Sequence, residues 1–129
     1  MSNDSSKQFL VLQHQFIANL QNRKQKFNDL YGEFLALELG VLDVKNAEIT
    51  TKELTVLVSL HREVHNLTGT AGCYQLLGLS DVSRRLENHL WTVLRKVDRC
   101  VIDQAWQEKL YKYFAGLIHA VDELIKTLA

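Results

Sequence analysis

Two histidines stand one helical turn apart in the stretch "HREVHNLTGTAGCYQLLGLSDVSRRLE", His61 to Glu87. An exposed neutral imidazole is a competent nucleophile near neutral pH, because its ordinary pKa is about 6.5. Two imidazoles four residues apart on a helix are also able to share a metal ion. What separates His65 from His61 is the run that follows it: Thr68, Gly69, Thr70, Ala71 and Gly72. Side chains on a helix lean toward its N-terminus, so the residues three, four and seven places after His65 lean back over it. Those are Thr68, Gly69 and Gly72, and none has the bulk to cover an imidazole ring. His61 lacks this clearance, since Val64 and His65 follow it at three and four. A glycine inside a helix costs about 0.5–1 kcal/mol relative to alanine. Two of them around one histidine imply access to that ring or the close approach of another backbone. In the second case His65 is an ordinary boundary residue.

The elements that must position these residues are helical. Apolar residues recur at helical spacing from Gln8 to Leu39: Phe9, Leu12, Phe16, Leu20, then Phe27, Leu30, Tyr31, Phe34 and Leu35. The polar stretch "QNRKQK" divides them, so this segment reads as one long helix or as two with a bend. Residues 1–7 are expected as a disordered tail, and Gly40 suits the helix end. Thr50 with Glu53 fits a capping box for a helix running from Thr51 to about Cys73. On a wheel of about 100° per residue, Val56, Leu60, Val64, Leu67 and Ala71 share the core arc, with Leu57 at its edge and His65 at its margin. A turn is expected around Gln75 to Gly78, with Ser80 or Asp81 capping a third helix. Asp103 caps the last, which carries Trp106, Leu110, Phe114, Leu117, Val121 and Leu124. No alternating strand pattern is apparent. The expected fold is all-α: one antiparallel up-down four-helix bundle over residues 8–129, its first segment either one long helix or bent or split in two.

Composition agrees. The chain has 129 residues, 47% of them apolar, and no proline to break helices. Fifteen basic and fifteen acidic residues cancel, which removes a general attraction to nucleic acid. No apolar run approaches the roughly 18 residues of a membrane span, and the polar start lacks the layout of a secretory signal. A free-standing cytoplasmic protein, monomeric and without a membrane or nucleic-acid partner, is the expectation. Cys73 and Cys100 are expected as reduced core residues, and Trp91 and Trp106 as core aromatics. Arg84 and Arg85 are expected as solvated helix charges. The metal reading of His61 and His65 lacks further ligands, because the spacing of His14, His89 and His119 nominates none of them, so no metal is assigned.

The stretch from His65 to Glu87 resembles the pattern of histidine-containing phosphotransfer (HPt) domains of bacterial phosphorelays. The matching residues are His65, Leu67, Gly69, Thr70, Ala71, Gly72, Leu79, Leu86 and Glu87, and "LHREVH" resembles versions with a His-Arg pair before the acceptor. The match covers about a fifth of the chain without a gap. Two positions depart from the pattern: Thr68 stands where a lysine is usual, and Gln75 where a glycine is usual, with Gly78 nearby to supply turn flexibility.

The resemblance implies a phosphoryl carrier rather than an enzyme. His65 accepts a phosphoryl group from a receiver-domain aspartate, of a hybrid histidine kinase or a response regulator, and relays it to another. The carrier has no cofactor of its own, and Mg²⁺ is expected on the partner receiver domain. Arg62, Thr68, Gly69 and Gln75 are then expected beside the phosphate; His61, Gly72, Leu76 and Leu79 are expected to dock the partner. The alternatives are an HPt-like docking module that carries no phosphate, for which Thr68 is the best support, and a plain helical interaction domain.

Overall fold

The computed structural model describes residues 3–38, 47–48, 51–96 and 101–128. Four helices make the fold: α1 (Asn3–Glu38), α2 (Thr51–Cys73), α3 (Leu77–Leu94) and α4 (Gln104–Lys126). Their contacts alternate in direction. Tyr74, just beyond α2, meets Phe16 of α1, while Lys26 of α1 meets Glu63 of α2. Tyr31 and Lys24 of α1 meet Phe114 and Asp122 of α4. His89 of α3 lies on Trp106 of α4, and Val82 faces Gly116. Each helix therefore runs antiparallel to its two neighbours, and the packing closes as a ring α1–α2–α3–α4. This is the all-α up-down bundle that the periodicity predicts. One core joins all four helices, with Leu20, Phe27, Phe34, Leu57, Leu60, Leu67, Leu86, Leu90, Leu110 and Leu117 fully enclosed.

Of the two readings of the first segment, one unbroken helix is the one observed. Leu20 and Phe27, seven residues apart, both reach the core across the polar stretch. The charges between them are all engaged: Arg23 lies over the Phe16 ring at 5.5 Å, Lys24 pairs with Asp122 at 2.7 Å, and Lys26 pairs with Glu63 at 2.9 Å. A run that looks like a break is thus anchored to two neighbouring helices. The helix also begins earlier than expected. Residues 3–7, assigned to the tail by the sequence, are helical, and Asp4 in the first turn complements the positive end of the helix dipole.

The connections hold further corrections. Ala47–Glu48 (β1) pairs antiparallel with Val101–Ile102 (β2), tying together the two connections at one end of the bundle. Two residues per strand are too few to produce an alternating pattern. Asp103 caps α4 as expected, its carboxylate accepting from the Trp106 amide at 2.7 Å. Thr50, Gly40 and Cys100 lie outside the described residues.

At the other end, α2 and α3 are joined by a turn tighter than the one expected. The Leu76 amide donates to the Ala71 carbonyl at 2.9 Å and the Gln75 amide to Gly72 at 3.0 Å, the paired bonds of a Schellman cap. Gln75 holds the left-handed position with φ of 60°. Gly78 has no positive φ and is already inside α3, so it does not relieve the turn. Nor do Ser80 or Asp81 cap α3. Leu76 occupies the cap position without a side-chain bond, Ser80 is buried, and Asp81 pairs with Arg85 at 3.1 Å. The Schellman turn leads straight into the helix and leaves no room for a separate cap. A non-glycine residue in the left-handed region carries strain that glycine does not. Gln75→Gly is therefore expected to raise stability by about 0.5–1 kcal/mol, read as a higher midpoint in urea denaturation, whereas Gln75→Ala does not raise it.

Candidate functional site

Helices α2 and α3 leave the turn at Leu76 with the same rise per residue, so residues equidistant from it meet across the hairpin. Gly72 faces Ser80, His65 faces Glu87, and His61 faces Trp91. That register builds the site.

The His65 ring is open to solvent, with its side chain 67% exposed, while that of Glu87 is only 17% exposed. His65 Nδ1 lies 2.6 Å from Glu87 Oε2. A carboxylate only accepts, so the proton of this bond sits on Nδ1 and the ring's lone pair is on Nε2. The bond also fixes the orientation of the ring. Nε2 has no hydrogen-bond partner among the described residues. A side chain built at Gly69 would meet nothing within 4 Å, so the face beside His65 is open space.

His61 lies one turn before His65, half-buried, with its ring nearly parallel to that of His65 (12°) at a centroid distance of 6.4 Å. Its other neighbour is Trp91, stacked at 5.7 Å. Together with Arg62, His65 and Glu87, these residues line a groove of about 480 Å³ between α2 and α3. Burial lowers the His61 pKa below its ordinary value; the Glu87 carboxylate opposes that shift and His65 adds to it. Trp91 is 51% exposed and belongs to this groove, not to the core that the sequence suggested. Cys73 is likewise exposed and free rather than buried.

Several residues expected at the site serve the hairpin instead. Thr68 is turned into the α2–α3 interface, where its hydroxyl donates to Ser83 Oγ at 2.8 Å and lies 3.0 Å from the Val64 carbonyl. Ser83 Oγ, wholly buried, donates to that carbonyl at 3.1 Å. Thr68 therefore does not stand over the imidazole. Gly72 lies against α3, where a Cβ would make ordinary contact with Ser80 Oγ at 3.5 Å, and Ser80 Oγ donates to the Thr68 carbonyl at 3.0 Å. Gln75 is committed to the turn, roughly 15 Å along the axis from His65 by helix rise. Leu79 is core at 3% exposure, and Leu76 is half-buried under the turn. The exposed leucine of this corner is Leu77. Arg62, exposed, shares the groove with His65, while Arg84 and Arg85 are exposed on α3.

The residues that sequence reasoning missed are Glu87 and Trp91. The sequence marks Glu87 as the end of the matching stretch and gives it no role. The usable signal was the hairpin symmetry about Leu76, which pairs Glu87 with His65 once the turn is known to be tight.

His89 is a different kind of histidine. It is buried, stacked on Trp106 at 4.7 Å, and its Nε2–H donates to the Trp106 carbonyl at 2.8 Å. Burial lowers its pKa, the Trp106 carbonyl opposes the shift, and Lys109 adds to it. It pins α3 to the start of α4. Among the described residues, no group of three or more His, Cys, Asp or Glu side chains is arranged to hold a metal, and no helix is long and apolar enough to cross a membrane. Comparison of the chain with family models, with curated proteins and with solved structures gives no match.

The lowered pKa values of His61 and His89 make stability depend on pH. The unfolded imidazoles take up protons first, near pH 6.5, so stability is full above that value and is lost as the pH falls through it toward the folded values. Urea midpoints are expected to drop between about pH 7.5 and pH 5.5, with a smaller drop in His89→Gln.

Proposed function

We propose that this protein is a histidine phosphotransfer protein, with His65 as the phosphoryl acceptor. The observation that carries the reading is the exposed His65 ring, held at Nδ1 by Glu87 so that its nucleophilic Nε2 is left without a partner among the described residues. The resemblance of the stretch from His65 to Glu87 to HPt domains supports it, as does the open face at Gly69.

In this reading the Nε2 lone pair attacks the phosphorus of an aspartyl phosphate on a receiver domain. The N–P bond forms while the P–O bond to the aspartate breaks, and the aspartate carboxylate leaves with the bonding pair. The ring becomes an imidazolium whose Nδ1 proton stays on the hydrogen bond to Glu87, so the new positive charge is paired as it forms. Mg²⁺ on the receiver supplies charge to the transferring phosphoryl oxygens. The carrier contributes position and the paired imidazolium. It is a carrier rather than an enzyme, and relay to a second receiver is the reverse of the same step.

A second reading is favoured by one observation. Thr68 stands where the family usually has a lysine, and its hydroxyl is bonded into the hairpin. A module without that cation could dock a receiver and carry no phosphate.

Incubation with a phosphorylated receiver domain separates the two. A carrier takes up acid-labile phosphate, and His65→Ala, at an exposed position, abolishes uptake without loss of fold. A docking module binds the receiver and stays unlabelled. For a carrier, Glu87→Ala is expected to slow uptake by about tenfold, because the tautomer and the imidazolium both lose their support.

A further inference from the structure

A phosphoryl group on His65 needs positive charge around its oxygens, and this hairpin lacks the usual source, since Thr68 stands where the resembling family has a lysine, and its hydroxyl is bonded into the hairpin. Glu87 is occupied with the Nδ1 proton. What remains on the groove side is Arg62 and His61. His61 makes no hydrogen bond to any described residue through either ring nitrogen, although it is half-buried. Its ring lies parallel to that of the acceptor at 6.4 Å and against the exposed indole of Trp91 at 5.7 Å.

Resting on the phosphocarrier reading, we propose that His61 takes up a proton from solvent when His65 is phosphorylated and, with Arg62, supplies the cationic charge that holds the phosphoryl group in the groove. His61 is then a positioning residue, and phosphorylation and protonation favour each other.

The charges around His61 set the direction. The titratable and charged groups that face it are His65 and Arg62 on α2 and Glu87 on α3; α1 and α4 contribute no residue to the lining of the groove. Without phosphate, burial keeps His61 neutral at neutral pH. Phosphorylation puts up to two negative charges on the phosphoryl oxygens and one positive charge, paired with Glu87, on the His65 ring, so the net change at the mouth of the same groove is negative and stabilises the His61 imidazolium in a partly desolvated site. The face of Trp91 gives that cation a second favourable contact. By linkage, the proton that binds better to the phosphorylated form shifts the transfer equilibrium toward that form as the pH falls.

The test needs no variant in its first arm. The imidazole signals of His61 are followed by NMR across about pH 5 to 9, before and after phosphorylation by phosphoramidate and, separately, by a phosphorylated receiver. Phosphoramidate transfers its phosphoryl group as its own P–N bond breaks and ammonia leaves. The His61 midpoint is expected to rise by about one pH unit on phosphorylation; an unchanged or lower midpoint overturns the proposal. In the second arm, the distribution of phosphate between receiver and carrier is measured at pH 8 and pH 6. The wild-type protein is expected to gain up to about tenfold more in favour of the carrier than His61→Gln gains over the same interval. Equal gains overturn it. If neither donor labels His65, as judged by intact mass against His65→Ala, the phosphocarrier reading fails and takes this proposal with it. Labelling without movement of the His61 midpoint sinks this proposal alone.

Discussion

Two antiparallel helices that leave one tight turn and rise at the same rate are forced to meet residue for residue. The Schellman turn at Gln75 and Leu76 imposes that constraint on α2 and α3, and the rest of the site follows from it. His65 meets Glu87 because both stand eleven residues from Leu76, and His61 meets Trp91 because both stand fifteen away. An insertion or deletion of one residue in the turn would rotate every partner by about 100° and separate the imidazole from its carboxylate. The strain of a left-handed glutamine is thus stored where the register is set.

The hairpin is locked by polar bonds in a place where apolar packing would be ordinary. Ser83 is wholly buried yet bonded to Val64, Thr68 is bonded to Ser83, and Ser80 is bonded to the Thr68 carbonyl. Buried hydroxyls cost free energy unless satisfied, and here each finds a partner on the opposite helix. Such bonds are directional, so they fix the sliding position of α3 along α2 more sharply than leucine contacts would. The same choice turns the Thr68 hydroxyl away from the imidazole, and the basic groups that line the groove beside His65 are Arg62 and His61.

The small residues after His65 divide into two roles. Gly69 opens the face beside the ring, with nothing near enough to fill the space. Gly72 lies against the start of α3, where a Cβ would make an ordinary contact with Ser80 Oγ. Of the two explanations that a glycine in a helix permits, open space beside the ring applies at Gly69, and the spacing at Gly72 does not demand a glycine. The histidines divide in the same way: His89 is held between α3 and α4 by an indole and a carbonyl, whereas His65 is held by one bond and otherwise faces solvent.

Helical periodicity with short connections determined an all-α up-down bundle and most of its core, since an apolar stripe must be buried whatever its partner. It also determined that the residues over His65 are too small to cover it, because that clearance is a property of a single helix. What only the tertiary structure decided are the matters that involve two helices. The engagement of Lys24 and Lys26 by α4 and α2 kept α1 in one piece; the α2–α3 register brought Glu87 to His65 and Trp91 to His61; and the pairing of Ser83 with Thr68 turned the threonine inward. A sequence carries the period of each helix, but the phase between two helices depends on the geometry of the turn that joins them, and that turn was made by a glutamine in a conformation its residue type does not advertise.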